Sequence, residues 1–510
     1  MVKLWERYWH QPISAVRPYL FAKGFLVCLA LDLLVSRVRH TARYGADGFN
    51  VAHFAWLDAI QPSPTAALQA GVLVLAALLA LVAALVRFDR IVVAAAFLLH
   101  TWGWSMSMLD TYQHHYLLSV ILACLVFFPE PRRADVSSAG KPVRIHAWAY
   151  VLLAATAAIV YTFTSVAKMD GEWLGGHVLA VVDTGDLLHR MFGGAATAVG
   201  RSRSALLRVA AIGTIVVELI IAAGYLRARY LDSAGRPTRA WCWVAWVLAV
   251  SLHSGFELMG LQVGWFSRYM IFMACVFFLP EPILATVVRL IGVPVERLEK
   301  LSNGVVGRLD SGAASIGLGL LVAAVFVIAG LRVDIPGTSV AFLVAAIVTL
   351  APAFVWVARG ELAPARARML ASGLVAVVAW LAVSAAQLDY HAYRAVDLMA
   401  RGHDDEALVA LMTALDHAPA SGRRTAELRY DVGALHKRSG RLEDAVTWSR
   451  RAIDASPDWA SAHNVLGATL GSLGDVDGAI VHFERALQLE PDHAEARQNL
   501  ALARQMRARR

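Results

Sequence analysis

The sequence predicts an all-α protein: a polytopic transmembrane helical bundle followed by a soluble α-solenoid of paired helices. Three observations carry this. Of 510 residues, 58% are hydrophobic and only 17% are charged, which is not the balance of an ordinary soluble domain. Apolar runs of about 20 residues, the length of a helix crossing a bilayer core, recur as far as residue 387. From residue 388 these runs give way to a unit of about 34 residues that repeats.

The apolar segments fall near 18–36, 66–86, 90–108, 114–128, 147–167, 205–226, 241–258, 264–280, 312–331, 339–357 and 369–387. The segment 114–128 is the shortest. The basic start "MVKLWERYWHQPISAVR" leads into the first with no small-residue cleavage site, which argues against a cleaved signal peptide. The four cysteines (Cys28, Cys124, Cys242 and Cys275) all lie inside apolar runs. They show neither a metal spacing nor a disulfide framework and read as small core residues.

The net charge of +8 belongs to the apolar part. From residue 388 onward there are 16 Lys/Arg against 18 Asp/Glu, which leaves 31 against 21 for residues 1–387. The basic excess sits in particular loops, so it gives no warrant for nucleic-acid binding. "RFDR" (87–90), "EPRRADVSSAGKPVR" (130–144), "RARYLDSAGRPTR" (227–239) and "RGELAPARAR" (359–368) all fall on one side when the N-terminus is cytoplasmic. Arg37, Arg39 and Arg43 in the first outer loop run against this count. The loops around 109–113, 168–204 and 259–263 are then outside, and eleven crossings leave the C-terminal tail outside as well. The expected protein is therefore an integral membrane protein of the lipid bilayer, of the bacterial inner- or plasma-membrane type.

The tail carries its repeat in three units, 388–421, 426–459 and 460–493, closed by a polar helix at 494–508. The clearest unit reads "ASAHNVLGATLGSLGDVDGAIVHFERALQLEPDH", with Leu466-Gly467, Gly474, Ala479, Ala486 and Pro491 at the small-residue, turn and terminal positions of a tetratricopeptide repeat. The same places hold Gly433, Gly440, Ala445, Ala452 and Pro457 in the second unit, and Ala395, Gly402, Ala407, Ala414 and Pro419 in the first. Small residues at these spacings let antiparallel helices approach closely, and three units with a cap suffice to bury a continuous core. Such repeats usually bind a peptide or protein partner; a spacer or dimerisation arm is the plainer alternative.

Ionisable residues inside apolar spans are functional hypotheses by default. "SMSMLDTYQHHYLLSVI" holds Asp110, His114 and His115, and "LAVSLHSGFELMGLQVGWFSRYM" holds His253, Glu257 and Arg268. Glu218 and Asp32 each lie within a span, where a satisfied interhelical hydrogen bond is the bland account. "YTFTSVAKMDGEWLGG" ends a span with Lys168, Asp170, Glu172 and Trp173. Lys168 is either a snorkelling anchor or an amine whose desolvation makes it available as a base. The topology puts Asp110, His114, His115, Lys168, Trp173 and His253 near one membrane face, and their side chains suit proton transfer. Adjacent His114 and His115 point about 100° apart on a helix and no carboxylate spacing completes a site, so no metal is expected.

"DTYQHHYLL", "SVAKMDGEWLGG" and "LHSGFELMGLQVGWFSRYM" resemble the HTTM (horizontally transferred transmembrane) family, to which the vitamin K-dependent gamma-glutamyl carboxylases belong. The resemblance covers roughly residues 10 to 290. It implies a membrane enzyme using reduced vitamin K or another quinol, with oxygen and carbon dioxide as co-substrates, to modify a peptide. By the same resemblance Lys168 would be the base acting on the quinol and His115 would stabilise the glutamate or its carbanion. His253 would line the quinone pocket, with Trp173, Asp110 and Glu218 around the cofactor. The sequence departs from the carboxylase pattern at Phe256 and Glu257, where an asparagine is expected nearby, and at Ser267 in place of a proline. In place of a large lumenal domain it has further apolar spans and the repeats. The expected organisation is a carboxylase-like domain over 1–290, additional spans over 291–387 and the repeats over 388–510. The repeats would recruit the substrate or a partner. The competing expectations are a non-catalytic membrane scaffold and a maturation or export partner of a secreted peptide.

Overall fold

Apolar segments without access to water must satisfy their backbone N–H and C=O groups internally, and helices do this within a single segment. The structure, a computed structural model, describes residues 9–10, 12–43, 65–86, 88–105, 113–129, 143–182, 203–228, 236–258, 264–290, 312–359 and 362–509. Among these, extended pairing is confined to two antiparallel two-residue strands, β1 (Ile13–Ser14) and β2 (Arg144–Ile145). The helices in chain order are α1 (Val16–Leu31), α2 (Ala66–Leu81), α3 (Arg90–Ser105), α4 (Gln113–Val126), α5 (Trp148–Ala167), α6 (Gly171–Leu174) and α7 (His177–Val182). They continue with α8 (Arg203–Ala228), α9 (Arg236–Leu258), α10 (Phe266–Phe278), α11 (Glu281–Leu290), α12 (Gly312–Arg332), α13 (Thr338–Arg359) and α14 (Leu362–Ala400). The last six are α15 (Asp404–Asp416), α16 (Arg423–Arg438), α17 (Leu442–Ala455), α18 (Ala460–Ser472), α19 (Val476–Leu489) and α20 (Ala494–Ala508).

Each of the eleven predicted spans lies on a helix. Among the described residues, five continuous helical stretches are long and apolar enough to cross a membrane: Val16–Ala42, Ala66–Leu85, Trp148–Ala167, Ala205–Ala228 and Ser372–Ala400. The pair α10 and α11 makes a sixth if counted as one span, although it bends by 117° at the break. Several of the others fall short for physical reasons. Some, such as the 14-residue α4, are too short to reach across the roughly 30 Å of a hydrocarbon core at 1.5 Å per residue. Others, such as α9, are diluted by Arg236, Arg239, Ser251, His253 and Glu257. The first stretch is irregular: α1 passes into a π-helix at Asp32–Arg37 and then a 3-10 turn at Val38–Arg43.

The chain divides into two compact units. The first comprises residues 1–33, 72–330 and 339–379. Its closure rests on Arg17, which is buried and donates to the carbonyls of Val276, Phe277 and Leu279 at 2.7, 3.2 and 2.9 Å. These are orphan acceptors at the end of α10, where a cation is favourable. Ser14 donates to Glu281 at 2.8 Å, so the segment before α1 is fastened to the start of α11. Above that clasp the rings of Phe21, Phe25, Phe128, Tyr150 and Phe277 form its aromatic core. Large apolar side chains such as Ile91, Ile159, Phe163 and Val209 stand exposed on the helices, a surface suited to lipid.

The second unit comprises residues 34–71, 331–338 and 380–510 and contains the repeats. The boundary predicted at 387/388 falls inside the uninterrupted 39-residue helix α14, so the first repeat helix is the continuation of the last apolar span. Neither proline nor glycine interrupts residues 374–401, and a helix continues where nothing breaks it. The turns inside the repeats close on Gly402, Gly440 and Gly474 at φ of 79°, 75° and 88°, backbone that favours glycine. Ala395, Ala407, Ala414, Ala445, Ala452, Ala479 and Ala486 are all fully buried at the helix contacts.

Gly467 is the tightest of these contacts. A Cβ there would lie 2.8 Å from the Phe483 ring and 3.0 Å from the carbonyl of Ala479. Gly467→Leu is therefore expected to destabilise the third repeat by about 1–3 kcal/mol or more. Limited proteolysis should cut 460–509 first while the membrane-length helices stay protected. Equal loss of protection in both units would refute the independence of the repeat core.

Candidate active site in the first unit

The site grows from the end of α5. Its helical face carries Tyr161, Ser165 and Lys168 at i, i+4 and i+7, the spacing that stacks side chains on one face. Lys168 is the C-cap residue, beyond which "MDGEWLGG" turns the chain back. Asp170 caps the short helix α6 by accepting from the Trp173 amide at 2.7 Å. Gly176 has φ of 79° and lies so close to α8 that a Cβ would come within 2.9 Å of Leu207 and Arg208. Both demands exclude a side chain, and together they let α8 pack antiparallel along α5.

Antiparallel packing brings Glu218 of α8 against Lys168. Lys168 Nζ donates to Glu218 Oε1 at 2.8 Å and Oε2 at 3.0 Å, and to the Thr164 carbonyl at 3.3 Å. The one proton of the Ser165 hydroxyl is shared between the Tyr161 carbonyl at 2.8 Å and Glu218 Oε2 at 3.2 Å. The Lys168 and Glu218 side chains are 18% and 5% exposed, so this pair is largely removed from water. Taking two charges out of water is costly, and close geometry with extra hydrogen bonds is what offsets it. Trp173 closes the outer side: its ring lies 5.3 Å from Nζ, in cation–π range, and its Nε1 donates to the Ala211 carbonyl at 3.1 Å. A snorkelling lysine extends its ammonium to water, whereas this one turns inward to a carboxylate. The Lys168 ammonium is therefore paired with a carboxylate.

One helical turn and more along α5, Tyr161 meets His253 of α9, with the phenol oxygen 2.7 Å from Nε2. His253 is 2% exposed, and its ring is flanked edge-on by Phe256 and Phe266. Its Nδ1 has no hydrogen-bond partner among the described residues, and neither has the buried hydroxyl of Tyr225, whose ring stacks on Tyr161 at 5.9 Å. Two orphaned polar atoms among four aromatic side chains are an unusual feature of a packed interior.

His115 is buried in a different group. It lies in the first turn of α4, and its ring lies 6.2 Å from that of His100 on α3. His100 in turn contacts Ser119, which also accepts from Trp104. The described contacts thus join Lys168, Glu218 and Trp173 in one cluster, Tyr161 and His253 in the next layer, and His115 with His100 in a third. Asp110 lies outside the described residues, and so does the side chain of His114. Glu257 sits 3.9 Å from Arg268 in an exposed pair. Among the described residues no group of three or more His, Cys, Asp or Glu is placed to hold a metal. Tyr161, Ser165 and Tyr225 were not singled out in the sequence. Their signal was the face they share, since Tyr225 follows Glu218 by seven residues just as Lys168 follows Tyr161.

This arrangement defines a class: a polytopic helical membrane protein with a buried polar site and an appended repeat domain. The HTTM domain model matches residues 11–281, more than half of the chain, and the chain belongs to the HTTM family. A tetratricopeptide repeat model matches residues 460–493. Among curated proteins, the chain is 39% identical over 64 residues to Protein FlbA of Caulobacter vibrioides, covering 12% of this chain and 11% of that one. It is 32% identical over 109 residues to the Hsp70-Hsp90 organizing protein of Triticum aestivum, covering 21% and 17%. The chain therefore spans well under a quarter of the length of these relatives. Similar solved structures include MamA, at 23% identity and a TM-score of 0.22 over 24% of this chain and 68% of that one. The first TPR of Spaghetti (RPAP3) bound to HSP90 peptide SRMEEVD is another, at 21% identity and 0.23 over 24% and 94%.

Proposed function

We propose that this protein is a carboxylase-like membrane enzyme that uses a reduced quinone to modify a peptide or protein brought to it by the repeats. The observation that carries the proposal is the buried Lys168–Glu218 pair beside two orphaned polar atoms in an aromatic wall. A quinol would be met by flat aromatic faces around its ring and by His253 Nδ1 and the Tyr225 hydroxyl at its oxygens. When bound, the quinol would supply, with oxygen, the reducing power and base strength needed to remove a proton from unactivated carbon.

The chain's own residues would divide the proton work. Lys168 Nζ passes a proton to Glu218 Oε1, 2.8 Å away, and becomes a neutral amine able to take one from a hydroxyl. Ser165 holds Glu218 in place through its hydrogen bond to Oε2. Tyr161 fixes the orientation of His253, and Trp173 covers the outer side so that water is kept from the amine. His115, with His100 beside it, would serve the peptide side of the reaction. On the proposed orientation the N-terminus is cytoplasmic and this site and the repeats face outside. A reporter active only outside the cytoplasm should then work when fused after Gly176.

A second account is favoured by the completeness of the Lys168–Glu218–Ser165 network, which is also what a purely structural ion pair requires. The protein would then be a membrane scaffold acting through its repeats. The test is oxygen uptake by the full chain in nanodiscs supplied with a reduced menaquinone. Quinol-dependent uptake above that of empty nanodiscs is expected; none, in folded protein, overturns the enzymatic proposal.

A further inference from the structure

The third repeat contains a paired histidine that the membrane site does not explain. His463 on α18 and His482 on α19 face each other across the helix hairpin, with their Nδ1 atoms 3.1 Å apart and rings nearly parallel. The other nitrogen of His463, Nε2, lies 3.2 Å from the carbonyl of Pro457. A carbonyl only accepts, so Nε2 of His463 carries the proton, and a neutral imidazole has no second N–H. Its Nδ1 is then the acceptor, and the hydrogen bond between the rings is donated by His482 Nδ1. One shared proton holds the two helices together here. One added proton is still shared, because neutral His482 moves its own proton to Nε2 and accepts at Nδ1; a second proton leaves two N–H groups facing each other and no acceptor between them.

We propose that His463 and His482 form an acid-sensitive latch that holds the third repeat closed near neutral pH and loosens it in mild acid. The surroundings of the pair reinforce this. His463 is buried. Arg485 on α19 acts against protonation of His463, and Arg450 on α17 acts against protonation of His482. Two groups act on the pair in the opposite direction: the Pro457 carbonyl on His463, and on His482 Asp475, which already accepts from Gly478 in capping α19. Burial comes first among the causes for both histidines, and both are held below the ordinary histidine range. Glu495 on α20 reaches the neighbouring Asn464, not the pair.

The direction follows from linkage. Imidazoles kept neutral by the fold but free to protonate in the unfolded chain leave stability intact above about pH 6.5 and remove it as pH falls below that value. The loss is transmitted to the cap. Asn464, next to His463, donates to Glu495 and accepts from Asn499 at 3.0 Å, and these are the side-chain links from α18 to the inner face of α20. Loosening α18 against α19 therefore also disturbs the seat of α20.

Hydrogen exchange of the full chain in nanodiscs, corrected for intrinsic pH dependence, tests the latch. Amides in 460–489 should exchange about tenfold or more faster at pH 5.5 than at pH 7.5, while those in 404–416 change little. The double variant His463→Gln/His482→Asn keeps side-chain donors in both places without the titration, and it should lose the pH dependence. Equal pH dependence in the variant, or none in the wild type, overturns the proposal. A variant that fails to fold does not decide the matter alone, because wild-type exchange at the histidine C2 positions reads each titration directly. Midpoints of His463 and His482 below about 6.5, the ordinary histidine value, support the latch; midpoints at or above it refute it.

Discussion

Lys168→Arg should leave folded, inserted protein and lower quinol-dependent oxygen uptake by about 10²–10⁴-fold, the usual contribution of a positioned base. Arginine keeps a cation for Glu218, and its planar fork suits a carboxylate. A guanidinium does not surrender its proton at physiological pH, so the transfer from Nζ to Glu218 Oε1 has no counterpart. An anchor predicts the reverse, since arginine reaches the interface as well as lysine does. Lys168→Ala should fall to the same floor, and an added small primary amine should restore part of the activity by replacing the base and not the tether. Expression and thermal unfolding measured alongside separate a chemical loss from a folding one. Full activity in Lys168→Arg ends the catalytic assignment, whatever the Ala variant does.

Much of the fold was legible because its signals are local. Twenty apolar residues in a row specify a helix whatever surrounds them, and the repeat announces itself in glycines and alanines that the structure shows as turns and contacts. The site was legible in part. Lys168, Glu218, Trp173 and His253 stood out because charge, indole and imidazole are rare in apolar runs. Their pairing was not visible, because Lys168 and Glu218 are 50 residues apart and meet only when α5 and α8 pack antiparallel. Tyr161 and Tyr225 carry no charge and pass for ordinary core residues until the helix faces are drawn. The continuity of α14 through residue 387 was hidden for a different reason. Hydropathy falls there, and a fall in hydropathy marks the end of an apolar surface without marking the end of a helix.

Glu218→Leu should be among the most destabilising single changes in the first unit. It leaves the Lys168 ammonium, 18% exposed, facing an apolar side chain where a carboxylate stood 2.8 Å away. Breaking one partner of a buried pair costs about 3–5 kcal/mol, because the remaining charge is uncompensated. The double variant Glu218→Leu/Lys168→Met removes both charges and should recover most of that loss, since apolar replacements of a buried pair are often neutral or better. Thermal unfolding in detergent, with Lys168→Met completing the cycle, measures the coupling between them. Additive effects of the two single changes would show that the pair contributes nothing to stability and would leave its geometry without a structural reason. Glu218→Gln then divides the remaining possibilities. It keeps hydrogen-bonding atoms for Lys168 and Ser165 but takes no proton from Nζ. Stability near wild type with oxygen uptake abolished makes Glu218 the proton acceptor; uptake retained confines it to holding the helices together.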